Sequence, residues 1–287
     1  MRIGAHVRAP GGLRTAAEAA REVGAEAVQL FVSNPRSWAG PRLERAEAFG
    51  VAWREAGVGP LFVHAPYLVN VASPNPQFLA RSLELCRRSV AACGAIGSDG
   101  FVVHAGSGGP GEPVEARERA AALLRAVLAE TPETTRLLVE LMAGTAGAVA
   151  STLQEAAALF EAVDDERLGL CLDTCHLFAA GYALDEPTGV DACFEELHAT
   201  GLADRLRLVH ANDARFGLGS RRDRHEVIGE GRIGLEGFSA ILARPEVRDL
   251  AVVVETPASG ERRRVELQTL RSLAPDQGSS SARGPSW

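Results

Sequence analysis

Short apolar runs alternate with longer amphipathic stretches along the whole chain. The apolar runs are rich in Val, Leu and Ile and fall at residues 2–7, 25–32, 60–64, 100–104, 136–140, 168–173, 205–210 and 250–255. Each is followed by a polar turn and an Ala-, Leu-, Glu- and Arg-rich stretch such as LRTAAEAAREVG, FLARSLELCRRSVAACGAIG or VEARERAAALLRAVLAE. Strands buried on both faces read as near-continuous hydrophobic runs, and intervening helices make neighbouring strands parallel. Eight such units predict an α/β chain closed into a (β/α)8 TIM barrel. An open doubly wound sheet would show the same alternation, which does not report closure. The barrel is expected to occupy residues 1–275 as a single domain. The polar, Gly/Ser-rich DQGSSSARGPSW at 276–287 reads as a disordered tail.

The residues that end these runs carry the chemistry. FVHAP ends on His64 and VVHAG on His104; LLVE ends on Glu140; LCLDTCH ends on Asp173, with His176 just beyond; LVHAND ends on His210 and VVVETP on Glu255. Six consecutive strands thus deliver an imidazole or a carboxylate at their C-terminal ends, and in a barrel those ends share the rim where active sites sit. A single His or Glu at a strand end is ordinarily structural. Six together are different, because converging carboxylates repel and are costly to desolvate unless positive charge lies between them. No strand-end Arg supplies it, and the chain has no lysine. A divalent metal does, and the mixed N/O ligand set suits Zn2+, with Mn2+ or Fe2+ as alternatives. The loop after the seventh run, NDARFGLGSRRDRHEVIGEGRIG, adds Asp223 and His225 at alternate positions. In an extended segment both side chains face one way, so His176, Asp223 and His225 form a three-ligand site with an open position. Cys175 reads as a packing residue.

Composition changes this picture little. Of the 287 residues 46% are hydrophobic and 23% charged, as in globular chains, and no apolar run is long enough to span a bilayer. The N-terminal MRIGAHVRAPGGL carries charge with no apolar core behind it, so a cytoplasmic location is expected. Five cysteines without CxxC spacing argue against a disulfide scaffold or thiolate zinc knuckle. The formal charge of −7 argues against a nucleic-acid partner only if metals are ignored. Bound divalent ions would offset it, and Arg36, Arg221, Arg222 and Arg224 would extend the positive field at the rim.

From IGAHV to VVVETP the chain resembles the endonuclease IV family, the zinc-dependent apurinic/apyrimidinic endonucleases. The blocks HAPYLVNVASP, VVHAGS, CLDTCHLFAAGY and HANDARFGLGSRRDRHEVIGEGRIG carry the resemblance, in order. It implies three zinc ions: one held by His64, His104 and Glu140; a second by Glu140 as a bridge with Asp173, His210 and Glu255; a third by His176, Asp223 and His225. It implies catalytic roles for Glu140 and for Glu255, which orients the attacking water. It further implies duplex DNA containing abasic sites as partner, with Arg36, Tyr67 and Leu68 entering the duplex as a wedge where the nucleotide is extruded. The implied reaction is hydrolysis of the phosphodiester 5′ to the abasic site, leaving a 3′-hydroxyl and a 5′-deoxyribose phosphate, by a monomer that needs no nucleotide cofactor. Two departures stand out: the family pattern has Asn where this chain has Leu141, and Ser37 replaces a longer polar residue of some relatives. The competing readings are a metal-dependent sugar isomerase or epimerase on the same barrel and a non-catalytic abasic-site binder. The first ordinarily uses a Lys or Glu acid/base pair and has no obvious use for the DRH site.

Overall fold

The computed structural model describes residues 1–8 and 14–275, so the segment 276–287, expected to be a disordered tail, lies outside the described residues. Among them, eight parallel strands close into a barrel: β1 (Arg2–His6), β2 (Val28–Leu30), β3 (Leu61–His64), β4 (Gly100–His104), β5 (Arg136–Glu140), β6 (Leu168–Asp173), β7 (Leu206–His210) and β10 (Ala251–Val254). Two further short strands, β8 (Asp213–Ala214) and β9 (His225–Glu226), form an antiparallel pair outside the barrel. Each barrel strand pairs with its neighbours in chain order, and β1 closes the ring against β10. The apolar run at 25–32 contracts to the three residues of β2. Val28 and Gln29 pair with Ala5 and His6, and Val28 to Leu30 with Leu61 to Val63, after which the chain leaves the ladder towards Pro35. The β1–β2 contact is close: a Cβ on Gly4 would lie 1.7 Å from the Ala27 carbonyl oxygen, so only glycine fits there.

Side chains of a strand alternate between its two faces, and here one face fills the barrel while the other packs against the helices. The inner cluster is Ala27, Phe62, Val102, Leu138, Cys171, Leu208, Ala251 and Val253. Counting two residues onward on each strand gives Gln29, His64, His104, Glu140, Asp173, His210 and Glu255; on β1 the same parity runs from Gly4 to His6. The alternation therefore sets a polar ring directly above an apolar plug, one residue per strand. A register shift between Leu170 and Cys171 places one extra residue on β7 and brings Asp173 opposite His210.

Helices flank the barrel, and two of them open with clear capping chemistry. The long helix Pro76–Ile96 has Pro at its first position, and the Asn75 side chain accepts from the N–H groups of Gln77 and Phe78. It ends on Gly97 at φ 72°. The helix Leu153–Val163 opens with a Thr152–Glu155 capping box. No helix among the described residues is long and apolar enough to cross a membrane.

Candidate metal centre

Nine ionisable side chains meet above the plug and include three groups, each with its ligand atoms within 4.8 Å of one another: His64–His104–Glu140, Glu140–Asp173–His210–Glu255 and His176–Asp223–His225. Glu140, buried at the end of β5, joins the first two. Its Oε2 lies 3.0 Å from His64 Nε2 and 3.5 Å from His104 Nε2, while Oε1 lies 3.3 Å from both His210 Nδ1 and His176 Nδ1. The two oxygens of one carboxylate thus face two different sets of partners.

The third group is built by local structure. Asp173 is at once the last residue of β6 and the N-cap of the helix Thr174–Ala180, its Oδ1 accepting the His176 N–H at 2.9 Å. A strand running straight into a capped helix is why an acid, a thiol and an imidazole crowd into four residues. Asp223 and His225 come from the loop after β7, which the antiparallel pairing of β8 with β9 closes. Asp223 Oδ2 lies 3.4 Å from His176 Nε2, and its Oδ1 3.3 Å from His225 Nε2. Asp213, fully buried, organises the return of this loop: its carboxylate accepts the N–H groups of Ala214, Gly229, Gly231, Ile233 and Gly234. A side chain at position 231 would collide with it, since a Cβ there would lie 2.4 Å from Asp213 Oδ1.

The hydrogen bonds of the imidazoles decide which nitrogens are free. His64 Nδ1 donates to the Ala65 carbonyl at 2.8 Å and His176 Nδ1 to the Leu141 carbonyl at 2.7 Å, which leaves their Nε2 atoms for the centre. Support for His176 therefore comes from the backbone of residue 141, whatever its side chain, and the Leu141 departure removes nothing from it.

Burial alone would drive Glu140 towards the neutral acid, but the His210 and His104 imidazoles outweigh it and hold its carboxyl well below the usual range. Glu255 is depressed as well, burial being overcome chiefly by His210 and His6. His176 and His210 are raised well above the ordinary imidazole range despite their burial, His176 by Asp173 and Asp223, His210 chiefly by Cys171 and Glu255. His225, partly buried, is lifted to about 8 by Asp173 and Asp223. The four carboxylates of the centre pair only with histidines among the described residues. Of the eight buried side-chain polar atoms that make no hydrogen bond among the described residues, four are at this centre: Glu140 Oε1, His176 Nε2, His210 Nδ1 and His225 Nε2. Buried polar atoms are rarely left unpaired. Four lone-pair donors converging on common points fit divalent cations. Cys171 and Cys175 also come within ligand range, in company with His210 and with His225. Burial raises both thiols, Cys171 to about 12, and Cys175 points its sulfur at the Arg224 carbonyl, 3.6 Å away. Cys175 is fully buried.

Three contributors escape the reading of strand ends. His6 does end β1, in IGAHV, and the rule applied to the other strands would have found it; it lies 3.4 Å from Glu255 Oε1. Gln29 carries no charge and sits inside the run VQL. Asn212 ties two strand ends together, donating to Asp173 Oδ2 at 2.6 Å and accepting the Glu255 N–H at 2.7 Å.

The expected DNA-contacting residues stand above the rim. Arg36 is exposed on the loop after β2, and Tyr67 is 61% exposed on the loop after β3, with Leu68 half-buried beside it. Phe31 supports the Tyr67 ring edge-on, with centroids 5.2 Å apart, and also touches His64. Asn70 welds the Tyr67 loop to the loop after β4: its amide donates to the Ser107 carbonyl at 2.9 Å and accepts the Ser107 N–H at 2.9 Å.

A closed barrel whose rim gathers four carboxylates and five imidazoles defines a metal-dependent enzyme of the TIM-barrel class. The sequence matches the family described as "Xylose isomerase-like TIM barrel" over residues 17–274. It is 41% identical over 280 residues to "Probable endonuclease 4" of Streptomyces coelicolor, covering 94% of each chain, and 35% identical over 274 residues to the protein of that name from a Sulfurihydrogenibium species, covering 94% of this chain and 98% of that one. The crystal structure of endonuclease IV from Thermus thermophilus superposes with a TM-score of 0.80 at 33% identity, over 95% of this chain and 98% of that one. A D-tagatose 3-epimerase-like protein shares the fold alone, with a TM-score of 0.75 at 19% identity over 95% of this chain and 97% of that one. The chain belongs to the endonuclease IV family of hydrolases.

Proposed function

We propose that the chain is a DNA-repair endonuclease that hydrolyses the phosphodiester 5′ to an abasic site in duplex DNA, leaving a 3′-hydroxyl and a 5′-deoxyribose phosphate. The observation that carries the proposal is the convergence of four unpaired buried lone-pair atoms within a ring of carboxylates and imidazoles. Three zinc ions are assigned to it, with Mn2+ or Fe2+ as substitutes. His64, His104 and Glu140 would hold one; Glu140, Asp173, His210 and Glu255 the second; His176, Asp223 and His225 the third. Bound there, such ions would lower the pKa of a coordinated water from 15.7 towards about 7 and would offer positive charge to the phosphate oxygens.

The chain's own residues do the rest. Glu140 holds two ligand sets at a fixed spacing through its two oxygens. Glu255 presents Oε2 to the centre and orients the attacking water. Tyr67 and Leu68 fill the stack left by the extruded nucleotide, and Arg36 meets the backbone charge. Family membership favours this reading over a sugar isomerase or epimerase. We further propose that one unit, residues 1–275, carries the activity as a cytoplasmic monomer.

The test is a labelled duplex with one tetrahydrofuran abasic analogue, incubated with zinc-loaded protein, chelator-stripped protein and stripped protein given zinc back. The analogue cannot undergo β-elimination, so a cut leaving a 3′-hydroxyl must be hydrolytic. Cleavage lost on stripping and restored by zinc is expected. Tight binding of the abasic duplex without a cut would instead establish a lesion binder, and indifference to DNA would overturn both.

A further inference from the structure

Seven of the eight ring positions carry groups that exchange a proton. The eighth is Gln29, fully buried on β2, and its amide is completely engaged. Oε1 accepts the Nε2–H of His210 at 2.9 Å, while Nε2 donates to Glu255 Oε1 at 2.6 Å and lies 3.1 Å from His6 Nδ1. The amide can stand only one way round. An ionised carboxylate only accepts, so the amide nitrogen must face Glu255 and the oxygen is left for His210. That oxygen also only accepts, so His210 keeps a proton on Nε2 and its lone pair belongs on Nδ1. Nδ1 is the unpaired atom 3.3 Å from both Glu140 Oε1 and Glu255 Oε2. The same amide occupies Glu255 Oε1, so Oε2 alone faces the centre.

We infer that Gln29 is a positioning residue of the metal centre: it selects Nδ1 of His210 as the ligating nitrogen and confines Glu255 to one ligating oxygen. The inference rests on the metal-centre reading above. It assigns to a neutral mid-strand residue the task of holding two ligands, from β7 and β10, that neither neighbour of β2 in the sheet supplies. Outer partners of metal ligands are worth about 10- to 100-fold in affinity, which sets the expected size of the effect.

The experiment compares wild type with Gln29→Leu and Gln29→Glu. Gln29→Leu removes both contacts at similar volume. Gln29→Glu keeps an acceptor for His210 but sets a carboxylate against Glu255. Each protein is stripped, reloaded with zinc, and titrated with a competing chelator, and bound zinc is counted. Thermal melting of the stripped proteins is run alongside. In Gln29→Leu one of three ions is expected to weaken about 10- to 100-fold while two keep wild-type affinity. In 15N-histidine spectra of the zinc-loaded protein, one slowly exchanging imidazole N–H present in wild type should vanish. Gln29→Glu should retain that N–H signal yet still bind the one ion more weakly. Three ions held by Gln29→Leu with wild-type affinity would overturn the inference. So would an equal loss at all three sites accompanied by a lower melting point of the stripped protein, which marks a purely structural role. A wild-type protein that takes up no zinc would overturn the metal-centre reading itself, which keeps the two failures apart.

Discussion

Oδ1 of Asp173 accepts the His176 N–H, while Oδ2 accepts from Asn212 and faces His225 Nε2 at 3.5 Å. One carboxylate therefore sets the first turn of a helix and lines the metal centre. His225 faces this carboxylate and that of Asp223 through its Nε2. Its imidazolium is stabilised by Asp173 and Asp223, against burial, with a pKa of about 8 compared with 6.5 for a free side chain. A raised histidine adds stability that is complete below 6.5 and fades as pH climbs through about 8. His176 and His210, also raised, extend the loss upward. Metal-stripped protein should thus melt at falling temperatures from pH 6.5 to beyond 8, and zinc-loaded protein should show no such slope; a flat profile for the stripped form contradicts the assignment. At position 141 the expectation runs opposite to the family pattern. The side chain is buried in the core and only its backbone carbonyl meets His176, so Leu141→Asn should leave zinc content unchanged and cost about 1–3 kcal/mol of stability, read by denaturant titration.

At the scale of elements, the loop after β7 depends on Asp213. Replacing it with Ala leaves five backbone N–H groups without their acceptor, those shut away from water each costing about 1–3 kcal/mol, and frees the hairpin that carries His225. Zinc counted on Asp213→Ala should fall from three ions to two, with the His176–Asp223–His225 site lost first. Asn70→Ala unties the Tyr67 loop from the loop after β4 and leaves His64 and His104 in place on their strands. It should raise KM for abasic duplex with zinc content and kcat little changed. Much of this architecture is legible in sequence. The strands 100–104, 136–140 and 168–173 fall where their apolar runs do, because both faces are buried and the run ends where the polar ring begins. The run at 25–32 misleads in length: its pairing is limited by how few residues of β1 and β3 lie opposite it. Gln29 and Asn212 are illegible for a different reason. Neutral amides acquire a role only through partners on strands remote in the chain, and no local pattern announces them. Asp213 is hidden likewise, since its five donors follow it by up to 21 residues.

For the whole molecule, the basic side chains number 30 and all are arginine, against 37 acidic residues. Among side chains, a permanent positive charge for phosphate thus comes from guanidinium groups alone. Affinity for abasic duplex should fall linearly on a log–log plot against salt, and Arg36→Ala should lower that slope by about 1 if it meets one phosphate. An unchanged slope would remove Arg36 from the interface. The apolar plug below the ring carries stability. Leu138→Ala should cost about 2–5 kcal/mol in unfolding free energy while the protein still takes up three zinc ions. That separation of heights has a consequence for descent. Each polar letter hangs from its own strand, two residues above an apolar partner that it does not touch in sequence, so the ring can be respelled one strand at a time while the barrel beneath keeps folding. A lineage built this way is free to exchange one reaction for another without passing through an unfolded ancestor.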